Sequence, residues 1–221
     1  MDIFKDLIDI FLHLDTYLAD IIDKFGIFSY VVLFLVIFME TGLVITPFLP
    51  GDSLLFAAGT LAATDSFSII PLYIILLIAA ILGDSVNYSI GHYLGAKAFK
   101  VDNRFLKKEY LIKAQSFYEK HGGKAIFLAR FLPILRTFAP FVAGIGKMTY
   151  HRFVIFNITG AFVWVTTFTF LGYFFGNLPF IQTNFHYAIV VIIVISLIPL
   201  IVEFIKSRRG ETVLEPEKLV D

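Results

Sequence analysis

The chain has 221 residues, of which 58% are hydrophobic and only 16% charged; it carries no net charge and has a mean hydropathy of +0.82. A water-soluble domain carries about a quarter charged residues, so this composition excludes an ordinary soluble domain and points to an integral membrane protein. The absence of cysteine excludes disulfides and thiolate metal sites.

Residues 1–25 alternate aspartates with apolar residues and read as an amphipathic helix lying at the membrane interface as a simple anchor. Its opening MDIFKD lacks the basic start and small-residue cleavage site of a secretory signal, so this segment is expected to be retained. Residues 27–39 are apolar but meet Glu40 and then run into Thr46, Pro47, Pro50, Gly51 and Asp52 before the apolar run resumes at Ser53. A helical arm of this length reaches about 20 Å, short of the ~30 Å hydrocarbon core, and proline and glycine break it there. Residues 27–64 therefore read as a re-entrant hairpin, with two closely spaced full spans as the alternative.

Residues 69–91 read as a transmembrane helix and 92–124 as a basic segment, with eight Lys/Arg against Asp102, Glu109 and Glu119. Residues 125–149 repeat the broken pattern, meeting Arg130, Pro133, Arg136 and Pro140, and read as a second re-entrant hairpin. Two further transmembrane helices follow at 153–176 and 187–205, then a tail at 206–221 that opens with Lys206, Arg208 and Arg209. Positive residues in short loops mark the cytoplasmic side. The middle segment and the C-terminus are thus expected in the cytoplasm, and the acidic N-terminal helix on the outer side of a bacterial inner membrane.

The resulting fold is a single all-α membrane domain over 1–205, an inverted repeat of hairpin plus transmembrane helix with an added C-terminal span. Inverted repeats with broken helices meeting near the midplane are a recurring transporter plan.

Glu40, Asp52, Arg130 and Arg136 fall at the hairpin breaks, where each charge costs about 2.5–3.5 kcal/mol at mid-membrane. They read either as a structural Arg–carboxylate lock or as a functional site. Helix N-termini beside two arginines favour a phosphate. Arg130 and Arg136 are accordingly the candidate phosphate ligands, and Glu40 and Asp52 the acidic groups that release them and take up protons. A greasy cavity around such a site suggests a lipid phosphate as cargo. Asp84 and Asn87 share a helix face and, with Tyr88 and Ser53, are candidates to line the cavity; Asp84 reads equally well as a stabilising hydrogen-bonded acid. Trp164 reads as core packing.

The five histidines lack metal-ligand spacing, and neither a cofactor nor a nucleic-acid partner is expected. The letters GDSL at Gly51–Leu54 do not make a serine esterase: no Asp is followed three residues later by His. Ser53 instead reads as a cap of the returning helix. Gly91 and Gly95 are spaced to pack helices, which leaves an oligomer open.

The motifs ETGLVITPFLPGDSLL from Glu40, GDSVNY from Gly83, FYEKHGG from Phe117 and ARFLPILRTFAPFVAG from Ala129 together resemble the bacterial DedA family across nearly the whole chain. The resemblance implies two facing re-entrant hairpins in an inverted arrangement. It also implies a role in lipid translocation and in envelope homeostasis that depends on the proton motive force, since some members are assigned as undecaprenyl phosphate translocases and others as phospholipid flippases. The family's essential acidic and arginine positions map onto Glu40, Asp52, Arg130 and Arg136. The expected activity is non-enzymatic translocation of undecaprenyl phosphate. A phospholipid scramblase, a proton-coupled cation or drug antiporter and a non-transporting scaffold are the alternatives.

Overall fold

The computed structural model describes residues 14–43, 51–94 and 121–179, with single positions 112, 115, 116, 118, 119 and 191. The predicted span 187–205, the tail 206–221, residues 1–13 and the breakers Pro47 and Pro50 lie outside the described residues, apart from position 191. Among the described residues the regular elements are all helical.

Helix α1 (Leu14–Phe25) buries Leu18 and half-buries Ile21 and Ile22, while Tyr17, Asp20 and Lys24 stay exposed. This is the amphipathic division its sequence dictates. A 3-10 turn at Gly26–Phe28 redirects the chain through Gly26, whose φ of +52° suits a residue without Cβ. Ser29 Oγ then donates to the Ile21 carbonyl at 3.1 Å, tying the turn to α1.

Helix α2 (Ser29–Gly42) has 14 residues and α3 (Gly51–Ala63) has 13, so each is about 20 Å long. Helix α4 (Ile69–Leu94) has 26 residues, about 39 Å at 1.5 Å per residue. In the second half, α5 (Lys124–Ala129) stops at a turn through Arg130. Leu132 is extended there (φ −117°, ψ 106°), as a residue before proline must be, and Pro133 opens α6 (Pro133–Ile145). Helix α7 (Tyr150–Phe175) again has 26 residues. Of these helices, α4 and α7 are long and apolar enough to cross a membrane.

Two sequence expectations need correction. Pro140 is not a break between arms but lies inside α6; the break is at Arg130–Leu132. Packing along α4 sustains the helix there, and Asn87 Nδ2 supports the Thr137 carbonyl at 2.7 Å, within the turn that the proline disturbs. Ser53 is not a cap, because α3 already starts at Gly51 and places Ser53 inside its first turn.

Packing fixes the directions of the helices. Helix α2 runs parallel to α4, with Tyr30 beside Ser68 at one end and Thr41 against Gly83 at the other. Helix α5 runs parallel to α7 in the same way, with Gly123 against Phe156 and Phe127 against Gly160. Helices α4 and α7 are antiparallel: Tyr73 meets Thr166, and Ile81 meets Asn157.

The second arms are exchanged between the halves, α3 lying along α7 and α6 along α4. The two contacts match residue for residue. A Cβ on Gly172 would sit 2.0 Å from the Phe56 carbonyl oxygen, and one on Gly91 would sit 2.0 Å from that of Phe141. Likewise Gly59 faces the Thr169 carbonyl and Gly144 that of Tyr88, both at 2.1 Å. This is the packing of an inverted repeat, and it divides the bundle into two units, α2–α4–α6 and α3–α5–α7.

The exterior is apolar. Ile70, Ile74, Ile78, Leu82 and Val86 of α4 and Ile155, Ile158, Phe162 and Phe174 of α7 are exposed, while Asp84, Asn87, Arg130 and Asn157 are buried. Greasy surface around a polar interior is the distribution a bilayer solvent favours.

The close glycine contacts carry a test. Gly172→Ala and Gly91→Ala each force helices apart and are expected to destabilise the detergent-purified protein by about 1–3 kcal/mol in thermal denaturation. Gly146→Ala meets only ordinary contact, its nearest neighbour lying at 3.4 Å, and is expected to stay within about 0.5 kcal/mol of wild type.

Candidate functional site

The charged residues at the breaks converge where the ends of α2, α3, α5 and α6 meet α4 and α7. Glu40, in the last turn of α2, is fully buried. Its Oε1 accepts the Gly51 N–H at 3.0 Å and pairs with Arg136 Nη2, while Oε2 has no hydrogen-bond partner among the described residues. A carboxylate thus sits on the first N–H of α3, the end of a helix that stabilises an anion. Asp52, one residue further along, accepts Arg136 Nη1 at 2.9 Å and the indole Nε1–H of Trp164 at 2.8 Å, both on Oδ1. Arg136, in the first turn of α6, therefore bridges α2 and α3.

Arg130 has different partners. Its Nη2 pairs with Asp84 Oδ2 and donates to Asn157 Oδ1 at 2.7 Å, which ties the turn after α5 to both long helices. Asn157 in turn donates to the Ile81 carbonyl at 3.0 Å. The guanidinium carbons of Arg130 and Arg136 lie 5.6 Å and 5.3 Å from the centroid of the Trp164 ring, within cation–π range. Glu40, Asp52 and Arg136 thus form one cluster, Arg130 and Asp84 a second, and Trp164 joins them.

Thr41, Asp84, Ile126, Arg130, Arg136 and Trp164 line a cavity of about 10 Å³, room for a single water. Of the expected lining residues, Asp84 faces this cavity. Asn87 does not: its Nδ2 is bound to the carbonyls of Thr41 at 3.1 Å and Thr137 at 2.7 Å, clamping the ends of α2 and α6 to α4. Tyr88 also points elsewhere, donating its hydroxyl to the Met148 carbonyl and stacking on Phe153 with centroids 4.5 Å apart. Ser53 is buried outside the lining. Asp84 and Asn87 still share a face of α4, about 60° apart around its axis, and that offset lets Asp84 meet Arg130 after α5 while Asn87 reaches the carbonyls of α2 and α6.

Sequence reasoning missed Asn157, a buried amide in a span whose presence in an apolar helix was the available signal. Trp164 is packed in the core as read, but its bond to Asp52 went unseen because α7 is distant in sequence from α3.

The VTT domain family matches residues 49–174. The chain is 51% identical to Protein DedA of Escherichia coli strain K12 over 95% of its own length and 97% of the relative's. It is 39% identical to an uncharacterized membrane protein of Mycobacterium tuberculosis strain H37Rv over 93% and 96%. Inner membrane protein YghB of Salmonella typhimurium strain LT2 is 38% identical over 70% and 71%. No solved structure matches. A membrane protein by its fold and its relatives, the chain belongs to the VTT-domain, or DedA, family.

Breaking a buried pair by removing one partner costs about 3–5 kcal/mol, whereas replacing both with apolar groups is near neutral. Arg130→Met is expected to destabilise the protein by about that amount, and Arg130→Met with Asp84→Leu to recover most of it. Thermal denaturation of the purified single and double variants measures the difference.

Proposed function

We propose that this protein is a lipid-phosphate translocase of the bacterial inner membrane, with undecaprenyl phosphate, recycled toward the cytoplasmic leaflet, as the favoured cargo. In this reading α2–α3 and α5–α6 dip into the bilayer from opposite faces, which the lengths of their arms favour. The observation that carries the proposal is the pair of buried guanidiniums lining one interior cavity of a bundle with an apolar exterior, each already holding an anion. Arg136 spreads its two Nη groups over two carboxylates, and a guanidinium that holds carboxylate oxygens is equally suited to a phosphate.

Each arginine has one partner in its own packing unit and one across the divide. Arg136 holds Glu40 within its unit and Asp52 opposite; Arg130 holds Asn157 within its unit and Asp84 opposite. A phosphate entering between the units replaces the cross-unit carboxylates and leaves the own-unit partners in place. The cavity has room for only one water, so in this reading the units separate to admit a headgroup while the acyl or prenyl chain stays in lipid. Three carboxylates against two guanidiniums leave an excess negative charge that a proton on Glu40 or Asp52 balances, which links the cycle to the proton gradient.

A phospholipid scramblase uses the same arginines without a proton gradient; a cation or drug antiporter uses the acids alone. Vesicles reconstituted with the protein and labelled undecaprenyl phosphate separate these readings. Arg136→Ala and Arg130→Ala are expected to lower transport at least about tenfold, as loss of a charge-assisted phosphate contact implies. Glu40→Gln and Asp52→Asn are expected to abolish the response to an imposed proton gradient. Unchanged transport in both arginine variants overturns the phosphate assignment, and equal competition by common phospholipids shifts the cargo to them. Trp164 is the chain's single tryptophan, so its emission is expected to change on binding to wild type and not to Arg136→Ala.

A further inference from the structure

The Asp52 carboxylate accepts two donors on the same oxygen, and they come from different packing units. Arg136 reaches it from α6 at 2.9 Å and Trp164 from α7 at 2.8 Å. The Trp164 bond lies within the unit that contains α3 itself, where Gly59 and Gly172 bring the α3 and α7 backbones into close contact. The Arg136 bond crosses between units, so separation of the units breaks one and preserves the other.

The same indole lies 5.3 Å and 5.6 Å from the two guanidinium carbons and is 1% exposed. In so dry a setting a cation–π contact is at the strong end of its range. Unlike a carboxylate, it stabilises the cation without competing for the guanidinium N–H groups. Any buried indole needs an acceptor for its N–H, but packing alone does not set two cations near its face.

We infer that Trp164 is a positioning residue that holds the Asp52 carboxylate on the α3–α7 unit and supports both guanidiniums, so that Arg136 exchanges its anionic partner while Asp52 stays in place to take it back. This rests on the reading that Arg136 leaves Asp52 for a phosphate. Trp164→Phe separates the two parts of the role, since it keeps an aromatic face and loses the donor, and Trp164→Leu removes both.

The first arm of the experiment needs no lipid cargo. The melting temperature of the detergent-purified protein is followed against pH for wild type, Trp164→Phe, Asp52→Asn and the double variant. Among the described residues the other ionisable groups of the site are Glu40 from α2, Asp84 from α4, Arg130 after α5 and Arg136 from α6, and all are present in every variant. Trp164→Phe is expected to change the shape of the profile when Asp52 is present and to leave it unchanged in the Asp52→Asn background. An identical change in both backgrounds, or none in either, overturns the assignment and makes the indole a packing group.

In the second arm, vesicles carrying labelled undecaprenyl phosphate are compared at varied concentration. Trp164→Phe is expected to lower the maximal rate about tenfold, the scale of a lost hydrogen bond to a charged group, with little change in half-saturation. Trp164→Leu is expected to raise half-saturation about tenfold as well, as loss of a desolvated cation–π contact implies. Indistinguishable kinetics for the two variants overturn the division of roles. Should wild type fail to move the lipid, the translocase reading falls, and the pH profiles still decide whether Trp164 holds Asp52.

Discussion

A guanidinium removed from water must find anions, and in this protein Arg136 finds two, on opposite sides of a structural divide. Glu40 comes from the unit to which Arg136 belongs and Asp52 from the other. Burying such a group costs several kcal/mol unless its donors are met, so the arginine holds the ends of α2, α3 and α6 at one point. Arg130 does the same with Asn157 and Asp84. The inner ends of four short helices are thereby fixed by charge as well as by the apolar residues beside it, Ile37, Leu55, Ala129 and Leu135.

Apolar and close-contact packing operates along the helix lengths instead. Glycines at matching positions let α6 lie against α4 and α3 against α7 with backbone nearly touching backbone. In lipid, where aliphatic side chains gain little by leaving one apolar medium for another, close approach and dispersion supply much of the association energy. Each unit is therefore tightly joined internally. Between the units lie the Arg136–Asp52 and Arg130–Asp84 pairs and the bond from Asn157 to the Ile81 carbonyl. The seam between the units is thus polar and contains both arginines.

Much of this was legible before any coordinates. Long apolar blocks gave α4 and α7 to within a few residues, because a bilayer demands length and hydrophobicity in a way no tertiary contact overrides. Proline and glycine beside charge marked where helices stop, and Arg130-Phe-Leu-Pro133 does end α5. Pro140 misled for a physical reason: a proline's cost is fixed locally, but whether a helix survives it depends on the packing and bonds around it, here α4 and the Asn87 amide.

The sequence by itself determined that the protein lives in lipid, that its short helices break beside Glu40, Asp52, Arg130 and Arg136, and that its two halves share a pattern. Those properties follow from composition and from the local limits on backbone geometry. Only the tertiary structure decided which acid meets which arginine, that Asp84 rather than Glu40 or Asp52 holds Arg130, and that Trp164 and Asn157 belong to the site. Partner choice depends on how helices far apart in sequence are rotated and exchanged against one another, and a side chain's place in the chain carries no record of that.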